Sequence, residues 1–346
     1  MATQELIRDI FKHNDLGDVY KAKKLEGGRI HETWYVKTEN KEHVIKIYNP
    51  NCSLDGEYEK YNNAEKVAHL IKANGNDNVV CALMTGKTTI QYYNKHAYSI
   101  YEYIEGTRLL HAQIKEYHIK KIATFLAQIH SIKASSECIP PNVYKTESHF
   151  INRMSRVIDQ ERSLKSILTL DVIETLNQIN QLCIRADKIL GEDNQLVLSH
   201  GDMDVPNVLW KNNAPFIIDW EYAGLKHPIV ELIYCAIYWS RNADGSIDSA
   251  RYEKFINSYW QIRPITNIAY ANEALYRVLG EFMMWLHYNM CRLSAKWTIN
   301  ENERSIAIEQ LHVFTPTIMT VHIQTAIFLE PIFRLQRVSS STHSSH

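Results

Sequence analysis

Hydrophobic and polar positions change rhythm about a third of the way along this chain. In the first third they alternate over short runs, the period of a half-buried strand. "AKKLEGGRIHETWYVKT" followed by "EHVIKIYNP" reads as a glycine-containing turn between strands and a second hairpin through Glu39, Asn40 and Lys41. "EYEKYNNAEKVAHLIKANG" then switches to helical spacing, with Tyr61, Ala64, Val67, Ala68 and Ile71 on one face and a stop near Gly75. Three β-rich runs follow, "NVVCALMT", "TTIQYYN" and "AYSIYEYIEG". The pattern predicts a small antiparallel sheet with one main helix over residues 1–104.

From Arg108 onward helical periodicity dominates, first in "EYHIKKIATFLAQIHSI", then over Glu147 to Leu190, then in several helices from Pro228 to Phe328. One β-rich island interrupts this helical part, "LVLSHGDMDVPNVLWKNNAPFIIDWE". It predicts three short strands joined by the loop "HGDMDVP" and the turn "KNNAP". The fold class is therefore α+β. The last residues, 339–346, lack apolar side chains and are expected to be a disordered tail.

Composition narrows the function classes. With 38 Lys and Arg against 39 Asp and Glu, the net charge of -1 supplies no global basic field for nucleic acid or a membrane surface. No apolar run is long enough to cross a bilayer, and the charged amphipathic start "MATQELIRDIFKHNDLG" does not read as a signal peptide. Cys52, Cys81, Cys138, Cys183, Cys235 and Cys291 are scattered without a C-x-x-C pair. Reduced thiols in a cytoplasmic protein are the expectation.

Chemistry concentrates in the β-rich island. Asp202 and Asn207 lie at the two ends of its loop, and Asp219 leaves the neighbouring strand beside them. Two oxygen ligands, from Asn207 and Asp219, suit Mg²⁺, which takes few protein oxygens and completes its shell with water and phosphate. Asp202 is then free to take or orient a hydroxyl proton. That division of labour is what phosphoryl transfer requires.

These residues resemble a known family. "HGDMDVPN" followed by "IDWE" is similar to the Brenner-type motif of the aminoglycoside phosphotransferase and choline kinase superfamily. In the family's order, "EGGRIHETWYV" resembles its nucleotide-covering hairpin, "VIKIY" its lysine strand, "YEYIEG" its hinge and "LAQIHSI" a helix of its C-terminal lobe. The resemblance implies a bilobal, protein-kinase-like fold: a nucleotide-binding lobe over residues 1–104 and a helical lobe with the catalytic loop and acceptor pocket over 105–338. It implies ATP or GTP with Mg²⁺ as cofactors. Asp202 becomes the catalytic aspartate, Asn207 and Asp219 the metal ligands, and Lys46 the phosphate-contacting lysine. Glu65 is the helix carboxylate expected to pair with Lys46, with Glu57 and Glu59 as rivals. Backbone groups around Glu102 and Tyr103 would hold adenine, and those of Gly27, Gly28 and Arg29 would approach phosphates. Met203-Asp204 departs from the Leu-His that many relatives carry after the catalytic aspartate, which leaves the subfamily open.

Structural roles compete with these. A loop aspartate, a turn asparagine and a helix-capping aspartate are each common on their own, and their joint occurrence with Lys46 is what favours a site. His200 reads as a hydrogen-bonding brace of the loop and His130 as a satisfied interior histidine. Glu221 reads as a metal-shell, substrate or structural carboxylate. For the acceptor, a hydroxyl-bearing small molecule, Glu281 and Trp285 suggest a cationic compound, although aromatic residues at helical spacing more often build core. A catalytically silent nucleotide-binding module is the alternative. A protein kinase is disfavoured, because "DWEYAGLKHPIVEL" leaves no room for an activation segment.

Overall fold

The computed structural model describes residues 3–25, 31–49, 57–133, 162–193, 195–265, 268–293 and 301–343. The chain forms two compact units: the first takes residues up to Arg108 together with His200–Gly224, and the second takes most of the remainder.

In the first unit, helix α1 (Gln4–His13) precedes strands β1 (Val19–Lys24), β2 (Glu32–Thr38) and β3 (Glu42–Ile47). Helix α2 (Glu57–Ala73) and strands β4 (Gln91–Tyr93) and β5 (His96–Glu102) follow. The strands form one antiparallel sheet in the order β1-β2-β3-β5-β4. Its alternation is the expected one. Trp34, Val36, Ile45, Ile47, Tyr98 and Ile100 pack with Ile7, Ile10 and Phe11 of α1 in one cluster. Successive side chains of a strand point to opposite faces, so Lys46, between Ile45 and Ile47, is turned away from that cluster. Ala64, Val67, Ala68 and Ile71 form the buried face of α2, as its spacing predicts.

The β-rich island closes this unit. Strands β6 (Val208–Lys211) and β7 (Ala214–Ile217) pair through a two-residue turn in which Asn212 and Asn213 both have positive φ, 51° and 60°. Asparagine tolerates that backbone, and a turn of this hand matches the twist of a hairpin.

Two boundaries differ from expectation, both through backbone pairing. Thr107 N–H donates to Trp210 O at 3.0 Å and Trp210 N–H to Thr107 O at 2.8 Å, which carries the first unit past residue 104 to Arg108. Val80 N–H donates to Ile217 O at 3.0 Å and Ile217 N–H to Asn78 O at 2.8 Å, so residues 200–224 group with the sheet-bearing unit rather than with the helices. The run "NVVCALMT" supplies only isolated bridges at Val79, Ala82 and Thr85 instead of a regular strand.

The second unit is mainly helical: α3 (Glu116–His130), α4 (Leu170–Leu190), α5 (Pro228–Ser240), α6 (Ser249–Trp260), α7 (Ala271–Leu293), α8 (Glu301–Ile323) and α9 (Thr325–His343). All thirteen residues of α5 are buried, which makes it the central helix, and α6 and α7 pack on it. A helix apolar all round belongs in an interior. Helix α9 runs on to His343, into the stretch expected to be a tail, and residues 344–346 lie outside the described residues. No helix among the described residues is long and apolar enough to cross a membrane. Cys81, Cys183, Cys235 and Cys291 are free thiols.

A buried polar triad ties α3, α5 and α6 together. His130 Nε2–H donates to Glu231 Oε2 at 2.7 Å, and its Nδ1 accepts from the Tyr259 hydroxyl at 2.8 Å, the satisfied interior role expected for His130. Burial opposes the charge of Glu231, yet His130 and then Lys226 hold its carboxyl at about 2. Replacing Glu231 by Ala strands the His130 donor in the interior. Glu231→Ala is expected to lower unfolding free energy by roughly 3 kcal/mol or more, and Glu231→Gln by less because the amide oxygen still accepts; urea unfolding of the two variants measures the difference.

Candidate active site

Period-2 geometry sends Lys46 away from the core, and two residues of the island meet it. Lys46 Nζ donates to Asp219 Oδ1 at 2.8 Å and to Glu221 Oε2 at 2.5 Å. The lysine side chain is only 13% exposed, so its charge is tolerated because two carboxylates face it. Burial works against the ammonium, but Asp219 and Glu221 outweigh it and raise Lys46 well above its ordinary value. The carboxylates diverge. Burial alone would lift Asp219, and Lys46 overrides it and holds the group below the usual carboxylate range. Glu221 stays raised, because burial and the charge of Asp219 prevail over Lys46.

Local backbone makes this meeting possible. Asp219 is left-handed, at φ 66° and ψ 60°, a conformation that costs a residue with a Cβ about 1 kcal/mol. It follows β7, and Ile218 N–H donates to Asn207 O at 3.0 Å, so Asn207 and the residue before Asp219 are hydrogen-bonded neighbours.

The loop from His200 to Asn207 is braced from both ends. Fully buried His200 donates from Nε2 to Ile218 O at 3.0 Å, and its Nδ1 accepts Asp202 N–H at 3.1 Å. That fixes a neutral tautomer and the bracing role expected for it. Asn207 Nδ2 donates to Asp202 O at 2.9 Å and to Asp202 Oδ2 at 3.0 Å. Gly201 sits at φ +83°, and a Cβ there would lie 2.2 Å from Tyr222 O. Only glycine lets this loop close on the segment that carries Glu221.

The donor set fits a hard divalent cation. Asn207 spends its amide hydrogens on Asp202, so its carbonyl oxygen is the atom that could serve a cation, and Asp219 could add carboxylate oxygens. No group of three or more His, Cys, Asp and Glu is placed to hold a metal among the described residues. Two protein oxygens with water and phosphate completing the shell are the Mg²⁺ pattern.

Other expected residues lie elsewhere. Glu65 is not the ion partner of Lys46. Its Oε2 accepts Ala82 N–H at 2.9 Å and its Oε1 accepts the Tyr101 hydroxyl at 2.8 Å, so its oxygens are taken by donors nearer its own helix. Around Glu102 and Tyr103, whose backbone groups are expected at adenine, the Tyr103 N–H donates to Glu42 O at 3.1 Å. Gly27, Gly28 and Arg29 lie outside the described residues. Glu281 belongs to α7 of the second unit, where Lys226 at 3.4 Å and Arg277 at 3.7 Å already match its charge. Trp285 stacks on Tyr288 with ring centroids 5.1 Å apart and donates from Nε1 to Gln310 Oε1.

One residue at this point escaped sequence reasoning. His31 is 4% exposed, and its Nε2 stands 3.9 Å from Glu221 Oε2. Its only sequence signal is a polar residue directly after the glycine turn.

The model of a family described as the phosphotransferase enzyme family matches residues 21–264. Among solved structures, the chain is similar to a spectinomycin phosphotransferase in complex with ADP and spectinomycin, at 13% identity and TM-score 0.67, with 93% of this chain and 99% of that one covered. It is similar to an ethanolamine kinase of Plasmodium vivax at 14% identity and TM-score 0.57, covering 91% of this chain and 90% of that one. A choline kinase from Cryptosporidium parvum Iowa II matches at 13% identity and TM-score 0.57, with 94% and 98% covered. At such identities the likeness carries the fold alone, an antiparallel sheet followed by a mostly helical remainder in the kinase-like arrangement of aminoglycoside phosphotransferases. No curated protein sequence matches the chain.

Glu65 makes the unit pH-sensitive. Burial lifts its carboxyl to about 7 against the lowering effect of its hydrogen bonds. The folded state therefore holds the proton more tightly than the unfolded chain, and this stabilisation, complete below the unfolded value of about 4.3, is lost as pH rises through about 7. Glu65→Gln cannot ionise, so it is expected to exceed the wild type by only about 1 kcal/mol near pH 5 and by on the order of 3 kcal/mol at pH 8 in urea unfolding.

Proposed function

This chain belongs to the phosphotransferase enzyme family, and we propose that it transfers the γ-phosphoryl group of ATP or GTP to a hydroxyl of a small molecule. The observation that carries the reading is the convergence of Lys46 with Asp219 and Glu221, next to a loop in which Asn207 orients Asp202. In this reading Asp202 is the acceptor of the hydroxyl proton. The Asn207 bond to Oδ2 fixes its carboxylate, and a fixed acceptor is what a positioned hydroxyl needs. Asn207 and Asp219 would hold Mg²⁺, which supplies positive charge against the phosphates when bound. Lys46 would serve the phosphates by leaving one of its two carboxylates. Glu102 and its neighbours, with the turn at Gly27, Gly28 and Arg29, remain the proposed nucleotide contacts.

The acceptor is proposed as a class. The similar structures are named for spectinomycin, ethanolamine and choline, all small molecules. A preference for cations loses its support here. Glu281 is matched by Lys226 and Arg277, and the rings of Tyr238 and Phe314, 4.8 Å and 4.5 Å from the Arg241 guanidinium, already hold a cation of this chain. A silent nucleotide-binding module would be expected to have lost the lysine, the base or the metal ligands. All are present.

A nucleotide-consumption screen with ATP and GTP in Mg²⁺, across aminoglycosides, amino alcohols, sugars and nucleosides, tests the reading directly. Asp202→Asn is expected to lower kcat by roughly 10²–10⁴-fold with nucleotide affinity nearly intact, because an amide keeps the shape but not the basicity. Loss of nucleotide affinity with kcat preserved would instead make Asp202 a binding residue. Asp219→Ala is expected to abolish Mg²⁺-dependent turnover, and a variant working at the wild-type rate would remove Asp219 from the metal site.

A further inference from the structure

His31 carries an unmet hydrogen bond at the centre of the site. Its Nδ1 accepts Asn49 N–H at 3.2 Å, which leaves the proton on Nε2. That Nε2 is buried and has no hydrogen-bond partner among the described residues. The ring cannot turn away freely, since it stands edge-on to Tyr48 and Tyr61, with centroids 4.9 Å and 5.6 Å distant. A buried donor left unmet costs free energy, so a native one calls for an explanation. What it faces is Glu221 Oε2, at 3.9 Å, the same oxygen that Lys46 Nζ holds at 2.5 Å.

Within the phosphotransferase reading, on which this inference rests, Lys46 Nζ has three donors, of which Asp219 and Glu221 take two, so contact with more than one phosphate oxygen draws it off a carboxylate. Releasing Glu221, whose side chain is 13% exposed, would leave a largely buried carboxylate without a donor. We propose that His31 is a positioning residue whose Nε2–H takes over Glu221 Oε2 when Lys46 turns to the phosphates of a bound nucleotide. The present gap exceeds hydrogen-bond length by about 1 Å, which a rotation of the glutamate side chain can close. A neutral donor suits the task. It replaces the lost bond without placing a second cation beside Lys46.

The test reads binding rather than turnover, using Mg²⁺ with AMP-PNP as the probe in calorimetric titrations of the full chain. His31→Phe keeps a ring but no donor, and is expected to weaken binding about tenfold with Tm within about 2 °C of wild type. His31→Gln places an amide N–H where Nε2 stands and is expected to bind within about twofold of wild type. Should the phenylalanine variant fail to fold, His31→Asn carries the test, since its shorter amide cannot reach Glu221 and should weaken binding equally. In a Glu221→Gln background the loss on removing His31 should vanish, because the effect runs through that carboxylate. Wild-type affinity in His31→Phe, equal losses in the Gln and Phe variants, or an undiminished loss in the Glu221→Gln background would each overturn the proposal. A wild-type chain that does not bind the probe at all would overturn the nucleotide reading itself, a result separable from failure of His31 alone.

Discussion

A largely buried lysine between two carboxylates is the constraint on which the first unit depends. Left alone at 13% exposure, the Lys46 ammonium would cost several kcal/mol. Its partners come from residues far along the chain, Asp219 and Glu221, in a segment tied to this unit by backbone bonds from β7 to Asn78 and Val80 and from Trp210 to Thr107. The ion contacts and the backbone bonds thus enforce one another. Loss of either would leave a charge or a peptide group unmatched in the interior.

Two strained positions lie where this closure is made. Gly201 passes so near Tyr222 O that any side chain would collide, and Asp219 adopts a left-handed backbone two residues after the hairpin. Such positions persist where the surroundings over-determine them. Here the surroundings are identifiable. His200 holds Ile218 O on one side and Asp202 N–H on the other, and buried Trp220 donates to Ile217 O at 3.1 Å. The backbone around Asp219 is thereby fixed before its carboxylate is used.

What the sequence makes legible is what local periodicity encodes. The β2–β3 hairpin, the apolar face of α2, the Asn212-Asn213 turn and the convergence of Asn207 with the end of β7 all follow from spacing within about twenty residues. Choosing the partner of Lys46 is a different problem. Glu65 lies on the helix that spacing points to, but Tyr101 and Ala82 N–H reach it first, and no local pattern records that competition. The same holds for the unit to which the island belongs: flanked by helices in sequence, it is bound through backbone to Asn78, Val80 and Thr107 in space. Tyr103 N–H, spent on Glu42 O, is likewise a matter of strand register rather than composition. His31 was illegible because its role turns on an absent bond, and only coordinates reveal those.

The unequal carboxylates suggest how the site accommodates a polyphosphate on the proposed reading. Lys46 supplies one positive charge against two negative ones, so the cluster is net negative whenever both acids are ionised. A triphosphate adds further negative charge and is repelled unless cations accompany it, which couples nucleotide entry to metal entry. Asp219, held below its ordinary range, stays anionic and keeps its claim on a cation. Glu221 is raised by burial and by Asp219 itself, although it lies nearer the ammonium, at 2.5 Å against 2.8 Å. On the proposed reading it is the carboxylate that Lys46 leaves for phosphate oxygens, with His31 as the donor that takes its place. Two carboxylates two residues apart acquire different tasks because one turn of backbone places them differently between the lysine and the interior.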